Sequence, residues 1–170
     1  MYEVDELDRV TELRDLPPSD TGAPRPHLLG HERSVILAYY IRQKGIWHMP
    51  SAELARMQDF REEAAIIKFN MCFAQMFGPP NDEAFAGHPL ASRGLAPYGI
   101  FRIESSSWIR KLERMNSVHP SHKPERYAQL QHLVFAFHDS TFECVCKAYD
   151  VAVRRGPISS LVPEMAKLLN

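Results

Sequence analysis

Leu133-Val134-Phe135-Ala136-Phe137 and Phe142-Glu143-Cys144-Val145-Cys146-Lys147-Ala148-Tyr149 flank the four residues His138-Asp139-Ser140-Thr141. Both arms are rich in β-branched and aromatic residues, while Asp and Ser favour a turn by bonding their own backbone. The pattern predicts a β-hairpin with a four-residue connection. A single strand running through without a turn is the alternative. Alternation sends Cys144 and Cys146 to the same face. With Cys72 they make an odd set of three cysteines, which read as reduced core residues.

Further strands are expected on either side of the hairpin. Ser34 to Ile41 is continuously apolar, as in a strand covered on both faces. Ala65 to Phe73 alternates, with Ile67, Phe69, Met71 and Phe73 on one side and Lys68 and Asn70 on the other, which favours a strand over the alternative of a helix continuing to Met76. Tyr98 to Glu104 reads as another strand. Helices are predicted over Ala52–Glu63 behind a Ser51 cap, over Trp108–Asn116 behind Ser105-Ser106-Ser107, and briefly from Pro124 to Leu130. A last helix, capped by Ser159 or Ser160, carries Leu161, Met165, Leu168 and Leu169, with Pro163 in its first turn. The expected class is α+β, with a mostly antiparallel or mixed sheet of about five strands and helices mainly on one face.

At the N-terminus, Val4, Leu7, Val10 and Leu13 recur at roughly helical spacing, so residues 1–16 are expected as a helical appendage. The Pro-rich run over 17–27 reads as a linker, and 28–170 as one domain. Length and composition fit that division: 170 residues, 45% hydrophobic and 24% charged, resemble an ordinary single globular domain. Twenty basic against 21 acidic residues leave a net charge of -1, which gives no reason to expect nucleic acid. No apolar stretch approaches the roughly 20 residues that span a bilayer, so no membrane partner is expected. The acidic start, Tyr2-Glu3-Val4-Asp5-Glu6, is unlike a secretory signal, and a cytoplasmic location is expected.

Candidate chemistry gathers at two irregular junctions. At the hairpin tip, His138, Asp139 and Glu143 could form an acid/base pair, since imidazole titrates near neutrality and a carboxylate orients it. Turn formation alone also accounts for Asp139 and Ser140. The Gly- and Pro-rich stretch from Phe77 to Pro97 holds His88 between Gly87 and Pro89, with Ser92 and Arg93 beyond. Arg93 could fork onto a carboxylate or phosphate, or pair with the acidic residues of its own loop. Ser106, beside Trp108 at a strand-to-helix junction, could present a hydroxyl and free amides to an anion, or simply cap the helix. Trp47-His48-Met49 could line an apolar pocket or belong to the core. His-Glu-x-x-His and paired Cys-x-x-Cys patterns are absent, and no metal or cofactor is expected.

Phe77-Gly78-Pro79-Pro80-Asn81-Asp82-Glu83, Gly87-His88-Pro89-Leu90, Ser107-Trp108-Ile109 and Phe137-His138-Asp139-Ser140-Thr141-Phe142-Glu143-Cys144 resemble segments of small bacterial proteins. The likeness spans residues 32–150, implies a bacterial, intracellular setting and brings no mechanism. The expected function is the binding or processing of a small polar or anionic molecule in a pocket lined by His, Asp, Glu and Arg. A non-catalytic interaction module, forming homo-oligomers through the N-terminal arm, is the alternative.

Overall fold

The computed structural model describes residues 2–42 and 63–169. Seven strands make one sheet: β1 (Arg9–Glu12), β2 (His27–Gly30), β3 (Ser34–Tyr40), β4 (Glu63–Gly78), β5 (Ile100–Glu104), β6 (Gln131–Ala136) and β7 (Thr141–Arg155). Their spatial order is β1-β5-β6-β7-β4-β3-β2, and every neighbouring pair is antiparallel. Among the described residues there are three α-helices, α1 (Ser107–Asn116), α2 (Glu125–Ala128) and α3 (Ile158–Leu169). The α+β expectation of about five strands, antiparallel or mixed, is therefore overturned. The molecule is dominated by a seven-stranded antiparallel sheet, because two short segments flanking the Pro-rich run add an edge strand on each side.

The expected hairpin forms, but its four-residue connection is residues 137–140, one residue earlier than the expected 138–141, because Thr141 pairs with Ala136. Beyond it, β4 and β7 are unusually long, at 16 and 15 residues, and run side by side through the middle of the sheet. A bulge interrupts their pairing between Cys72 and Ala74, next to Met71 at φ +50°. An extra residue at such a bulge bends the strand and increases its twist.

The consequence is a sharply curled sheet. Ring centroids of Tyr39 on β3 and Phe135 on β6 are 6.2 Å apart although β4 and β7 lie between those strands. In a flat sheet three strand spacings would separate them by about 14 Å. The concave side is thus filled by the sheet's own side chains, including Leu37, Tyr39, Ile67, Phe69, Phe135 and Phe142.

Two groups of elements cover the convex side. Helix α3 packs Ile158, Leu161 and Met165 on Ile36, Ala38, Ala64 and Ile66. Gly156, at φ +116°, lets the chain turn from β7 into that helix, a conformation that side-chain-bearing residues rarely adopt. The helix starts at Ile158, earlier than its Ser caps suggest, so Pro163 stands inside it rather than in its first turn. Near β5, β6 and β7, the N-terminal segment, the Phe85–Leu95 loop and α1 cover Phe101, Ile103, Val134 and Val145.

The N-terminal arm differs most from expectation. Residues 9–12 form a strand, not a helix, because the free edge of β5 supplies ladder partners that an isolated segment lacks. The Pro-rich run is not a free linker either. Leu13 donates its amide to Ile100 on one flank, Leu16 is buried in the concave core, and Ser19 bridges to Ile41 on the other flank. The run therefore straps the curled sheet across its open side. Prolines lack a donor but keep an acceptor. Here the carbonyls of Pro17, Pro18 and Pro24 receive the Tyr39 hydroxyl and the amides of Arg42 and Tyr40. The arm is thus held along the body of the fold rather than extended from it. The helix expected over 52–63 and the Trp47-His48-Met49 cluster lie outside the described residues, except Glu63, which opens β4. No described helix is long and apolar enough to cross a membrane.

Candidate functional site

Glu143 sits on β7 facing the convex side, 3% exposed. Its strand neighbour β6 brings His132 to the same side, since His132 opposes Val145 and lies diagonally from Glu143. The Phe85–Leu95 loop brings His88 from above, and the N-terminal segment brings Tyr2. Four distant stretches of chain thus meet at one carboxylate.

Every polar atom of this cluster has a partner. Oε1 of Glu143 lies 3.0 Å from His88 Nε2, and Oε2 lies 3.0 Å from His132 Nε2. The Tyr2 hydroxyl donates to Oε2 at 2.7 Å. The amide of Leu90 donates to His88 Nδ1 at 3.1 Å, so that nitrogen carries no proton and Nε2–H faces the carboxylate. Ser106 Oγ accepts from the Ile109 amide at 3.3 Å and lies 2.8 Å from His132 Nδ1, where its own hydrogen can point. Both rings therefore present an Nε2–H to Glu143. Burial alone would raise the Glu143 carboxyl, but the hydrogen bonds from His132 and His88 outweigh it and lower it to about 2. Burial, and then the Glu143 charge, push the Tyr2 phenol far up, so it stays a donor.

Rings lock the cluster laterally. Tyr2 stacks on Trp108 with centroids 5.2 Å apart, and both meet the His132 ring edge-on. Phe85 stacks on His88. The set is unsuited to a metal, because ligation through His88 Nε2 would need a proton on Nδ1, which the Leu90 amide already occupies.

Among the candidates read from the sequence, His88, Glu143, Ser106 and Trp108 meet here. Ser106 offers nothing to an external anion: it caps α1, and the Asp8 carboxylate takes the Ser107 amide at 2.7 Å. The anion at this helix N-terminus belongs to the chain itself. Arg93 donates to the Asp8 carbonyl at 3.2 Å, tying the loop to the N-terminal segment, and Ser92 is exposed beside it.

His138 and Asp139 form a separate group. His138 Nδ1 lies 3.3 Å from Asp139 and 3.7 Å from Asp82, without a hydrogen bond to either, and Tyr98 donates to Asp82. The carboxylates beside His138 are Asp139 and Asp82, whereas His88 is held by Glu143. His132 and Tyr2 are the members that sequence reading missed. His132 had a signal, a lone imidazole in phase with Val134 and Ala136 at the head of an apolar strand.

Tyr2 and Trp108 also floor a surface groove of about 260 Å³, walled by Met76, Leu112 and Met115, with Lys111 at its rim. It shares Lys111 and Met115 with a wider depression of about 550 Å³ that extends along α1 to Asp5 and Arg114. Comparison of the chain with protein-family models, with curated proteins and with solved structures finds no match to any of them.

Proposed function

We propose that the protein binds a small molecule with an apolar body and an anionic group in the groove along α1. The observation that carries this reading is the groove's make-up. Its floor and walls are Tyr2, Met76, Trp108, Leu112 and Met115, and Lys111 is the one charged side chain among the described residues that line it. Binding sites commonly combine an apolar lining with few oriented polar groups, and an ammonium selects a negative one. The buried Glu143 cluster then serves as the groove's foundation: it fixes Tyr2 through the hydroxyl and, by way of His132, the Trp108 ring. Acid/base chemistry at Glu143 would require Tyr2 to leave, whereas binding above Tyr2 does not. The proposal keeps the intracellular setting that the bacterial resemblance implies.

Octanoate and octan-1-ol serve as probes, read by Trp108 fluorescence in a Trp47→Phe background that leaves one tryptophan. Octanoate is expected to bind more tightly than the alcohol, and Lys111→Ala to weaken octanoate about tenfold while leaving the alcohol unchanged. Equal affinity for both probes, or no effect of Lys111→Ala, would overturn the reading.

A further inference from the structure

Cys72, Cys144 and Cys146 form a second cluster of reactive side chains, on the concave face of the sheet, opposite to Glu143. Cys72 stands directly across from Cys146 in the β4–β7 ladder, at the last pair before the register slips. Its amide donates to the Arg33 carbonyl at 2.9 Å, toward the β3 side. The Cys72–Cys146 pair is thus of the kind without mutual backbone bonds, whose Cα atoms lie about 4.5 Å apart. That separation falls within the roughly 4.4–6.8 Å that a disulfide spans. Cys144 lies diagonally from Cys72 on the far side of the bulge, where Gln75 and not Cys72 stands across from it. Cys144 and Cys146 follow each other on one strand with side chains nearly parallel, which also disfavours a bond.

The three thiols are not equivalent. Cys144 and Cys146 are fully buried, whereas Cys72 is 8% exposed and follows the half-exposed Met71 at the bulge. Cys144 lies in hydrogen-bonding contact with both neighbours. Its bond to Cys72 lowers the Cys72 thiol from its ordinary value, against an opposing effect of burial, while burial pushes Cys144 well up. The thiol that is lowered is therefore also the least enclosed of the three, and these are the two properties that select a cysteine for oxidation.

We propose that Cys72 is a peroxide-reactive thiol and that Cys146 resolves it to a disulfide joining β4 to β7. The Cys72 thiolate attacks one oxygen of hydrogen peroxide. The O–O bond breaks, sulfur is oxidised to sulfenic acid, and the displaced hydroxide takes a proton to leave as water. The Cys146 sulfur then attacks that of Cys72; the S–S bond forms, the S–O bond breaks, and hydroxide departs with the Cys146 proton as a second water. Two thiols and one peroxide give one disulfide and two waters, a two-electron exchange. This site stands apart from the groove and does not depend on what binds there.

The folded protein is treated with one equivalent of hydrogen peroxide, unfolded in urea with N-ethylmaleimide to block the remaining thiols and digested with trypsin, and the linked peptides are fragmented. The expected product links Cys72 to Cys146 and leaves Cys144 alkylated, with the far-UV spectrum unchanged. In Cys146→Ser the crosslink should vanish and dimedone should label Cys72, while Cys144→Ser should still form the bond. A disulfide that includes Cys144, or complete alkylation of all three thiols after peroxide, would overturn the proposal. So would Cys72 converted to sulfinic acid without a bond. If Cys146→Ser fails to fold, the wild-type peptide map decides alone.

Discussion

His132 Nε2 lies 3.0 Å from Oε2 of Glu143, across the two strands of a single hairpin and within a wholly buried setting. The contact is local in the sheet, yet the carboxylate it serves also collects donors from two remote parts of the chain, His88 and Tyr2. Glu143 is therefore the place where the sheet, the loop and the N-terminal segment are tied together.

Replacement of Glu143 by Gln should be costly. The variant keeps the shape but places an NH₂ group against an Nε2–H, leaving a buried donor without an acceptor. A loss of about 3 kcal/mol is expected, the range for breaking a buried charged network. The urea midpoint of the variant against wild type measures it.

The same residue should give a signature in acid. A carboxyl held at about 2 when folded, against an ordinary 4.5, stabilises the fold fully above pH 4.5 and loses that contribution as pH falls toward 2. A shift of this size corresponds to about 3 kcal/mol. Unfolding free energy between pH 5.5 and 2.5 should drop more steeply in wild type than in Glu143→Gln. Parallel curves would remove Glu143 from the acid response. The lowered carboxyls of Asp5 and Asp82 are present in both proteins and cancel in the difference.

Tyr2→Phe separates the hydroxyl from the ring. Stacking on Trp108 survives while Oε2 of Glu143 loses one of its two donors, so a cost of about 1–2 kcal/mol is expected with no change in Trp108 emission. Tyr2→Ala should cost more and shift that emission to the red, again in the Trp47→Phe background. Equal effects of the two variants would mean that the hydroxyl carries nothing.

In the concave core, the Phe135 ring meets Tyr39, Phe69, Phe137 and Phe142. Phe135→Ala should lose about 3–5 kcal/mol in chemical unfolding, because a curled sheet has no neighbouring layer to settle into the cavity. Gly156→Ala should lose about 1–2 kcal/mol through its left-handed backbone alone.

The parts of the fold legible in sequence are those whose pattern is local. Alternation or unbroken apolarity marks β3, the first half of β4, β5 and the hairpin, and Ser106 announces α1. Arg9-Val10-Thr11-Glu12 carries no such mark, since its extended shape comes from the edge of β5 some ninety residues away. His27–Gly30 is likewise a strand only because β3 lies beside it. The candidate site divides in the same manner. Glu143 and His88 stand out as ionisable groups in apolar or constrained surroundings. Tyr2 has no signal of its own: one aromatic near a terminus acquires a role only through a carboxylate 141 residues later.

The strap over the open side of the sheet also imposes an order of events. The Pro-rich run meets its partners soon, at β3, whereas β1 leaves the ribosome well before its partner β5, and Tyr2 well before Glu143 on β7. Residues 2–12 must therefore wait for partners that follow much later. Such remote pairings slow folding, because loop closure comes before the contacts that reward it. The hairpin of β6 and β7 can form as soon as it emerges, and Tyr2 can only be fastened afterwards. In this protein an early strand is held back for a late one.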